Sequence, residues 1–276
     1  MLKVKSKYLI LIQILSTFFI LISCSNIQEK EKSVTLTDTE IYNRAVVFLE
    51  NKDYKNALSE FEILLLNYPF SSLTSKSEIT SAYSLYQDNQ IQKAINKLNN
   101  FIEMNPNGEF TSYAYYLLAM CYYVQTSERG RDPSLSLKAL YYFQIINSKY
   151  PNTKYSKDAN LKITYLKNRL AENELSVGKF YLRKNVTASA IKRFQIILEK
   201  YQNTSVIPET LYRLSEALLK TGLKDEANKS IAILNYNFPN NEWTKLAKYL
   251  LEDDKVNISK QDFTRGVLNY IKTILD

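Results

Sequence analysis

One alanine recurs along this chain at a fixed distance from a helix-breaking point. Ala57, Ala94, Ala139, Ala190 and Ala227 each stand twelve residues before Pro69, Pro106, Pro151, Gln202 and Pro239. Proline lacks the backbone N–H and disfavours the helical region for the residue before it, so four of these points stop a helix by chemistry alone. Large apolar residues follow each alanine four positions later (Phe61, Leu98, Phe143, Phe194, Ile231) and seven positions later (Leu64, Phe101, Ile146, Ile197, Leu234). That spacing is one face of a helix. Upstream of each alanine stands another small residue: Ala45, Ala82, Ala119, Gly178 or Ser215. Two small residues facing each other mean two helices that cross closely. A chain written this way folds as successive antiparallel helix pairs, each burying its apolar face against the next.

This register is that of the tetratricopeptide repeat (TPR), with 34 positions in two helices, small residues at positions 8 and 20 and a proline at 32. The fold class expected is all-α: a TPR solenoid of five helix-turn-helix repeats with a long central helix and a C-terminal helix. The stops are spaced by 37, 45, 51 and 37 residues, so the regular pattern is interrupted twice. The eight extra residues fall around Gln125 to Pro133, a polar loop between the helices of repeat three that includes Arg129-Gly130-Arg131-Asp132-Pro133. The other fourteen fall within Asn152 to Leu170, where Ala159, Leu161, Ile163, Leu166 and Leu170 suit a long helix continuing into Ala171–Leu175. This divides the mature chain into an N-terminal half of three repeats (38–151) and a long helix with two further repeats (152–243). Past Trp243 the pattern fades into a capping region (244–276), where Ser259-Lys260-Gln261-Asp262 resembles a capping box before an amphipathic helix with Phe263, Val267, Leu268, Ile271 and Leu275.

Composition narrows the function. Histidine is absent, which removes imidazole bases and His-ligated zinc. Two cysteines, Cys24 and Cys121, provide neither a four-cysteine metal site nor a disulfide framework. Glu172 and Glu174 point apart on a helix. No Gly-rich phosphate loop is present, so the reading is a non-enzymatic protein with no cofactor and no metal. The formal charge of +8 includes Lys3, Lys5 and Lys7 of the leader; without residues 1–23, 33 basic residues oppose 28 acidic ones, a net of +5. No basic run tracks phosphates, so nucleic acid is not the expected partner.

The first 23 residues read as a signal peptide. Three lysines precede an apolar stretch from Tyr8 to Ile22, shorter than the roughly 20 residues needed to span a bilayer. The stretch ends in Leu21-Ile22-Ser23-Cys24, which resembles the lipobox of bacterial lipoproteins. That resemblance implies cleavage before Cys24, acylation of Cys24 and membrane anchoring, since several acyl chains hold a protein far better than one. Ser25 follows, where aspartate would imply inner-membrane retention, so the outer membrane facing the periplasm is expected. Residues 24–37 read as a flexible tether.

Two surfaces stand out. Tyr42, Tyr83, Tyr86, Tyr116 and Tyr123 occupy first-helix positions that line the inner face of a TPR superhelix, and a tyrosine offers apolar area with a polar tip. The opposing reading is that they only pack between neighbouring repeats. Between Lys179 and Lys200 there are six basic residues against the single acid Glu199; among them Arg183, Lys184, Lys192 and Arg193 suit an acidic partner surface, against the opposing reading of a solvated helix face, and Arg193, one residue before the core Phe194, is expected to leave the packed face.

A lipobox, five TPRs and a long middle helix together resemble the BamD family, the TPR lipoproteins of the outer-membrane β-barrel assembly machinery. The stretch Leu166-Lys167-Asn168-Arg169-Leu170-Ala171-Glu172-Asn173-Glu174-Leu175-Ser176-Val177 is very similar to that family's mid-chain helix. So are Tyr68-Pro69-Phe70, Arg131-Asp132-Pro133 and Tyr150-Pro151-Asn152. The resemblance covers about Thr37 to Trp243. It implies N-terminal repeats that receive unfolded outer-membrane β-barrel proteins and a C-terminal half that docks the last POTRA domain of BamA, with Arg193 at that contact. It also implies contacts with smaller lipoproteins, which the divergent tail leaves open. The competing reading is a generic envelope TPR adaptor lipoprotein of another assembly or export system.

Overall fold

The structure is a computed structural model and describes residues 36–126 and 132–252. The signal peptide, Cys24, the Arg129-Gly130-Arg131 part of the loop and the Ser259 capping box with its helix lie outside the described residues.

Among the described residues there are eleven α-helices and no strand. They are α1 (Asp38–Glu50), α2 (Tyr54–Asn67), α3 (Thr74–Gln87), α4 (Ile91–Met104), α5 (Thr111–Tyr123), α6 (Ser134–Lys149), α7 (Lys154–Arg183), α8 (Thr187–Lys200), α9 (Ile207–Lys220), α10 (Lys224–Asn237) and α11 (Glu242–Glu252). Each helix packs chiefly on its neighbours in sequence, the arrangement of a repeat array. The pairs are α1/α2, α3/α4, α5/α6, the second half of α7 with α8, and α9/α10.

The repeated small residues do what their spacing predicts. All five alanines of position 20 are fully buried, and so are Phe61, Leu98, Phe143 and Phe194 beside them. Gly178 is the tightest of the crossings. A Cβ built there would stand 2.4 Å from Cε1 of Phe194, so α7 and α8 touch where no larger side chain fits.

The turns inside the repeats share a geometry that the alanine register does not announce. Lys52, Asn89, Asn185 and Gly222 adopt φ values of 59°, 58°, 58° and 77°. All four hold the same repeat position, seven residues after the small residue of position 8. The residue after each one donates its N–H back to the carbonyl five residues earlier: Asp53 to Phe48 at 2.8 Å, Gln90 to Leu85 at 2.9 Å, Val186 to Tyr181 at 3.0 Å and Leu223 to Leu218 at 3.0 Å. This is a helix stop with a left-handed residue, which ties up carbonyls that the helix end leaves unpaired.

The repeat ends are equally uniform. Tyr68, Asn105, Tyr150, Tyr201 and Phe238 leave the helical region at φ between −134° and −128°. Tyr201 does so although Gln202, not proline, follows it. A threonine six residues on then ties three of the turns: Thr74, Thr111 and Thr244 donate their hydroxyls to the carbonyls of Tyr68, Asn105 and Phe238.

The long helix is longer than its apolar pattern alone requires. α7 runs 30 residues without a break and supplies both the extra segment after repeat three and the first helix of repeat four. α11 runs across residue 243, where the repeat pattern fades; Ala247 is fully buried and Trp243 lies 5.2 Å from Tyr212. No helix among the described residues is long and apolar enough to cross a membrane.

Candidate protein-binding surfaces

The first helices of repeats one to three and the start of α7 carry aromatic residues at their inner-face positions. Tyr116 of α5 sits 5.2 Å from Tyr155 and 6.1 Å from Phe143, and donates its hydroxyl to Asp158 at 2.6 Å. Tyr123 lies two turns further along the same face, 6.1 Å from Phe143 and 6.0 Å from Tyr165 of α7. Tyr83 and Tyr86 of α3 pack, as Tyr113 does, against the core cluster that includes Ile79, Leu85 and Leu118, and Tyr113 stacks on Tyr155 at 5.3 Å. Tyr42 of α1 packs on Phe61 at 5.7 Å and receives Lys76 over its ring at 4.9 Å. The structure therefore brings Tyr116 and Tyr123 into one aromatic wall with Tyr113, Tyr155 and Tyr165, sets Tyr83 and Tyr86 beside it on the core cluster that Tyr113 shares, and leaves Tyr42 on the neighbouring repeat, linked to α3 by Lys76. The five tyrosines chosen from the sequence are all half-buried, so each packs between helices and also keeps an open side.

Burial sets the chemistry of this wall. It pushes the Tyr113 and Tyr116 phenols well above the ordinary tyrosine value, and the bond from Tyr116 to Asp158 adds to the shift. These hydroxyls stay protonated donors. Burial alone would raise the Asp158 carboxyl, but hydrogen bonds from Lys162 and Tyr116 outweigh it and hold it below its ordinary value. Cations flank the rings: Lys162 lies 5.6 Å from the Tyr123 ring, Lys154 5.2 Å from Tyr155 and Arg169 5.9 Å from Tyr165. Leu161 and Tyr165, on the same side of α7, are 72% and 48% exposed. An apolar floor with polar tips and cationic edges suits an extended chain that carries its own aromatic groups and carboxylates.

Tyr113, Tyr155, Leu161 and Tyr165 were not among the sequence candidates. Tyr113 holds position 2 of repeat three and was within reach of the register. The others lie in the fourteen-residue interruption, and restarting the register six residues after Pro151 would have put Asp158, Leu161 and Tyr165 on the inner face.

The four basic candidates fall in different settings. Arg183 lines a cleft with Lys179, Leu182, Arg213, Glu216 and Lys220. Lys184 is the exposed residue that ends α7, and Lys192 is exposed on α8. Arg193 leaves the packed face as expected, but its Nη1 reaches Glu174 Oε2 on α7 at 2.9 Å, with the two side chains 38% and 19% exposed. A pair of this exposure contributes less than about 1 kcal/mol. Glu174 thus acts as an orienting partner for Arg193, a role its sequence position did not signal. The buried thiol of Cys121 is pushed up to about 12 by desolvation, as befits a packing residue.

Comparison with known proteins places the chain in a family. Residues 35–253 match the family described as YfiO, outer membrane lipoprotein. The outer membrane protein assembly factor BamD of Rickettsia prowazekii is 38% identical over 213 residues, covering 77% of this chain and 85% of that protein. BamD of Caulobacter vibrioides is 34% identical over 242 residues, covering 86% of this chain and 79% of that one. Among solved structures, a thermophilic TPR protein from Thermus thermophilus is 17% identical, with a TM-score of 0.38 over 78% of this chain and 99% of its own. With its paired helices, its mid-chain α7 and relatives matched over most of their length, the chain belongs to the BamD family of outer-membrane protein assembly factors.

Proposed function

We propose that this chain is the lipid-anchored TPR subunit of a β-barrel assembly complex. It receives unfolded outer-membrane proteins along the tyrosine wall and docks the POTRA region of BamA through the surface around Arg193, Lys192 and Lys184, with smaller lipoproteins as further partners. The signal peptide of residues 1–23 directs it to the envelope, acylated Cys24 holds it on the periplasmic face of the outer membrane, and residues 24–37 act as the tether. It acts by binding, without catalysis or a cofactor.

The observation that carries this reading is the wall of tyrosines from Tyr113 to Tyr165, with Tyr83 and Tyr86 half-buried beside it, in a member of an assembly-factor family. Half-buried rings are already ordered, so a chain laid across them gains aromatic contact at little entropic cost. A crosslinker placed at Tyr116 in membranes should trap unfolded barrel protein, and Tyr116→Ala with Tyr83→Ala should reduce capture at least fivefold. Unchanged capture would return the wall to a packing role.

The BamA contact needs a test that respects Glu174. Arg193→Glu sets two carboxylates against each other, so weakened binding by that variant alone is ambiguous. The swapped pair Arg193→Glu with Glu174→Arg restores the internal bridge. If Arg193 meets BamA, the swapped pair stays defective; if it recovers full affinity, Arg193 serves only to brace α8 against α7. Co-purification from detergent-solubilised membranes without any BamA would favour the generic adaptor. Cys24→Ala should leave the protein outside the membrane fraction.

A further inference from the structure

The cleft that holds Arg183 is a separate feature on the inner side of the C-terminal repeats. Lys179 and Arg183 lie one turn apart near the end of α7, and Arg213, Glu216 and Lys220 follow one another along α9. Leu182, which is buried, forms part of the lining, and the cavity holds about 160 Å³. At about 30 Å³ of liquid volume per water, that is room for about five waters or a carboxylate side chain.

Its charges do not cancel. Glu209 accepts from Lys179 at 2.7 Å and from Arg213 at 3.5 Å. Glu216 accepts from Arg213 at 3.0 Å and faces Lys220 at 3.6 Å, beyond a good hydrogen bond. Lys179, Arg183, Arg213 and Lys220 are four cations against these two carboxylates, a net of +2 around the cleft. Arg213 is immobilised, its guanidinium 5.2 Å from both the Tyr212 and the Trp243 rings as well as ion-paired. Arg183 has no carboxylate partner among the described residues. Among the four cations, Arg183 on α7 and Lys220 on α9 are the two that no carboxylate of the described residues holds at hydrogen-bond distance, two points on separate helices with a fixed arginine between their elements.

We propose that this cleft binds an extended acidic segment of a partner protein through its Asp or Glu side chains, with Arg183 and Lys220 as the two carboxylate contacts. Two contacts on separate helices favour carboxylates spaced along a chain over a single chain end. The inner location distinguishes this site from the Arg193–Glu174 pair, and it stands whether or not Arg193 meets BamA.

The test uses the detergent-solubilised full chain and a fluorescein-labelled, C-terminally amidated decapeptide with three glutamates separated by serines. Fluorescence anisotropy should show binding that weakens with salt. Arg183→Gln combined with Lys220→Gln should raise the Kd at least tenfold with unchanged far-UV circular dichroism. Lys229→Gln, an exposed α10 lysine, should leave the Kd within twofold. Equal affinity for the wild type and the double variant overturns the proposal. So does preference for a glutamate-free peptide with a free C-terminus, which would assign the cleft to chain ends. Binding seen only after removal of residues 257–276 overturns it in favour of the chain's own tail as occupant.

Discussion

Gly178→Ala tests the geometry on which the repeat register rests. Alanine is the better helix former by about 1 kcal/mol in a helix interior, so at an ordinary site in α7 the change would stabilise. Here the added Cβ would stand 2.4, 2.9 and 3.0 Å from three carbons of the Phe194 ring. Carbon atoms prefer about 3.5–4.0 Å, so the closest contact falls short by about 1 Å. Phe194 cannot yield easily. It is fully buried, and Ala171, Leu175, Leu182 and Ile197 are buried on the same two helices. Overpacking of this kind costs about 1–3 kcal/mol, and a contact this short belongs in the upper part of that range. After the helix-propensity gain, a net destabilisation of about 1–2 kcal/mol is expected, a fall in Tm of about 2–8 °C. Urea and thermal unfolding followed by circular dichroism would measure it. Phe194→Leu removes the clashing atoms, so the double variant should be more stable than the sum of the two single changes by about 1 kcal/mol. A Gly178→Ala protein as stable as the parent, or additive effects with Phe194→Leu, would show that α7 and α8 do not cross closely at this point.

Three other outcomes follow from particular contacts. Lys52 holds a left-handed conformation that Asn and Gly occupy in the equivalent turns, so Lys52→Asn should raise stability by about 0.5–1 kcal/mol in urea unfolding; a loss would mean that the lysine side chain compensates for its backbone. Cys121, buried and with its thiol value pushed up to about 12, should react with a thiol reagent at pH 8 only at the rate of unfolding, and rapid labelling of the native protein would contradict that packing. The Asp158 carboxyl lies below its ordinary value of 3.8 in the fold, so its stabilisation is present above about pH 4 and is lost as pH falls through the lowered value; Asp158→Asn should flatten the acid limb of the stability curve by less than about 1 kcal/mol, the solvent-screened value of a half-exposed pair, and an unchanged limb would deny the Tyr116–Asp158–Lys162 cluster any net effect.

The backbone of this fold was legible because a TPR writes its tightest contacts as residue size. A helix crossing that admits only a methyl group forces Ala, Gly or Ser in sequence, and the chain obliges at Ala57, Ala139 and Gly178. Gln202 was legible only through its neighbours; the turn after Tyr201 is tied by the Thr204 hydroxyl donating to the Tyr201 carbonyl at 2.7 Å, as Thr153 donates to Tyr150 at 2.9 Å after repeat three. The left-handed turns were harder to see. Asn89, Asn185 and Gly222 are ordinary turn residues, but Lys52 carries no such preference and hides the pattern. The surfaces were only half legible. A first-helix tyrosine can be assigned to the inner face by counting, as Tyr116 was. Which tyrosines touch one another depends on α7, whose start lay inside an interruption of the count. Arg193 shows the opposite difficulty: leaving the packed face is a property of spacing, whereas finding Glu174 requires two helices in register.

Helix α7 gives the two halves of the chain a common frame. A loop between repeats three and four would allow the tyrosine wall and the C-terminal cleft to shift independently. An uninterrupted helix of 30 residues, about 45 Å long, can bend there only by breaking backbone hydrogen bonds. Its midpoint is held from outside as well: Asn168 accepts hydrogen bonds from the Ser205 N–H at 2.9 Å and the Ser205 hydroxyl at 3.0 Å, in the turn before α9. Tyr165, Glu174 and Arg183 are nine residues apart in turn along this helix, so each successive step covers about 14 Å. One rigid element thus sets the spacing between the aromatic wall, the Arg193 partner and the basic cleft. Any partner that engaged more than one of them would meet a fixed ruler, and its affinity would depend on matching that spacing as much as on the chemistry at each point.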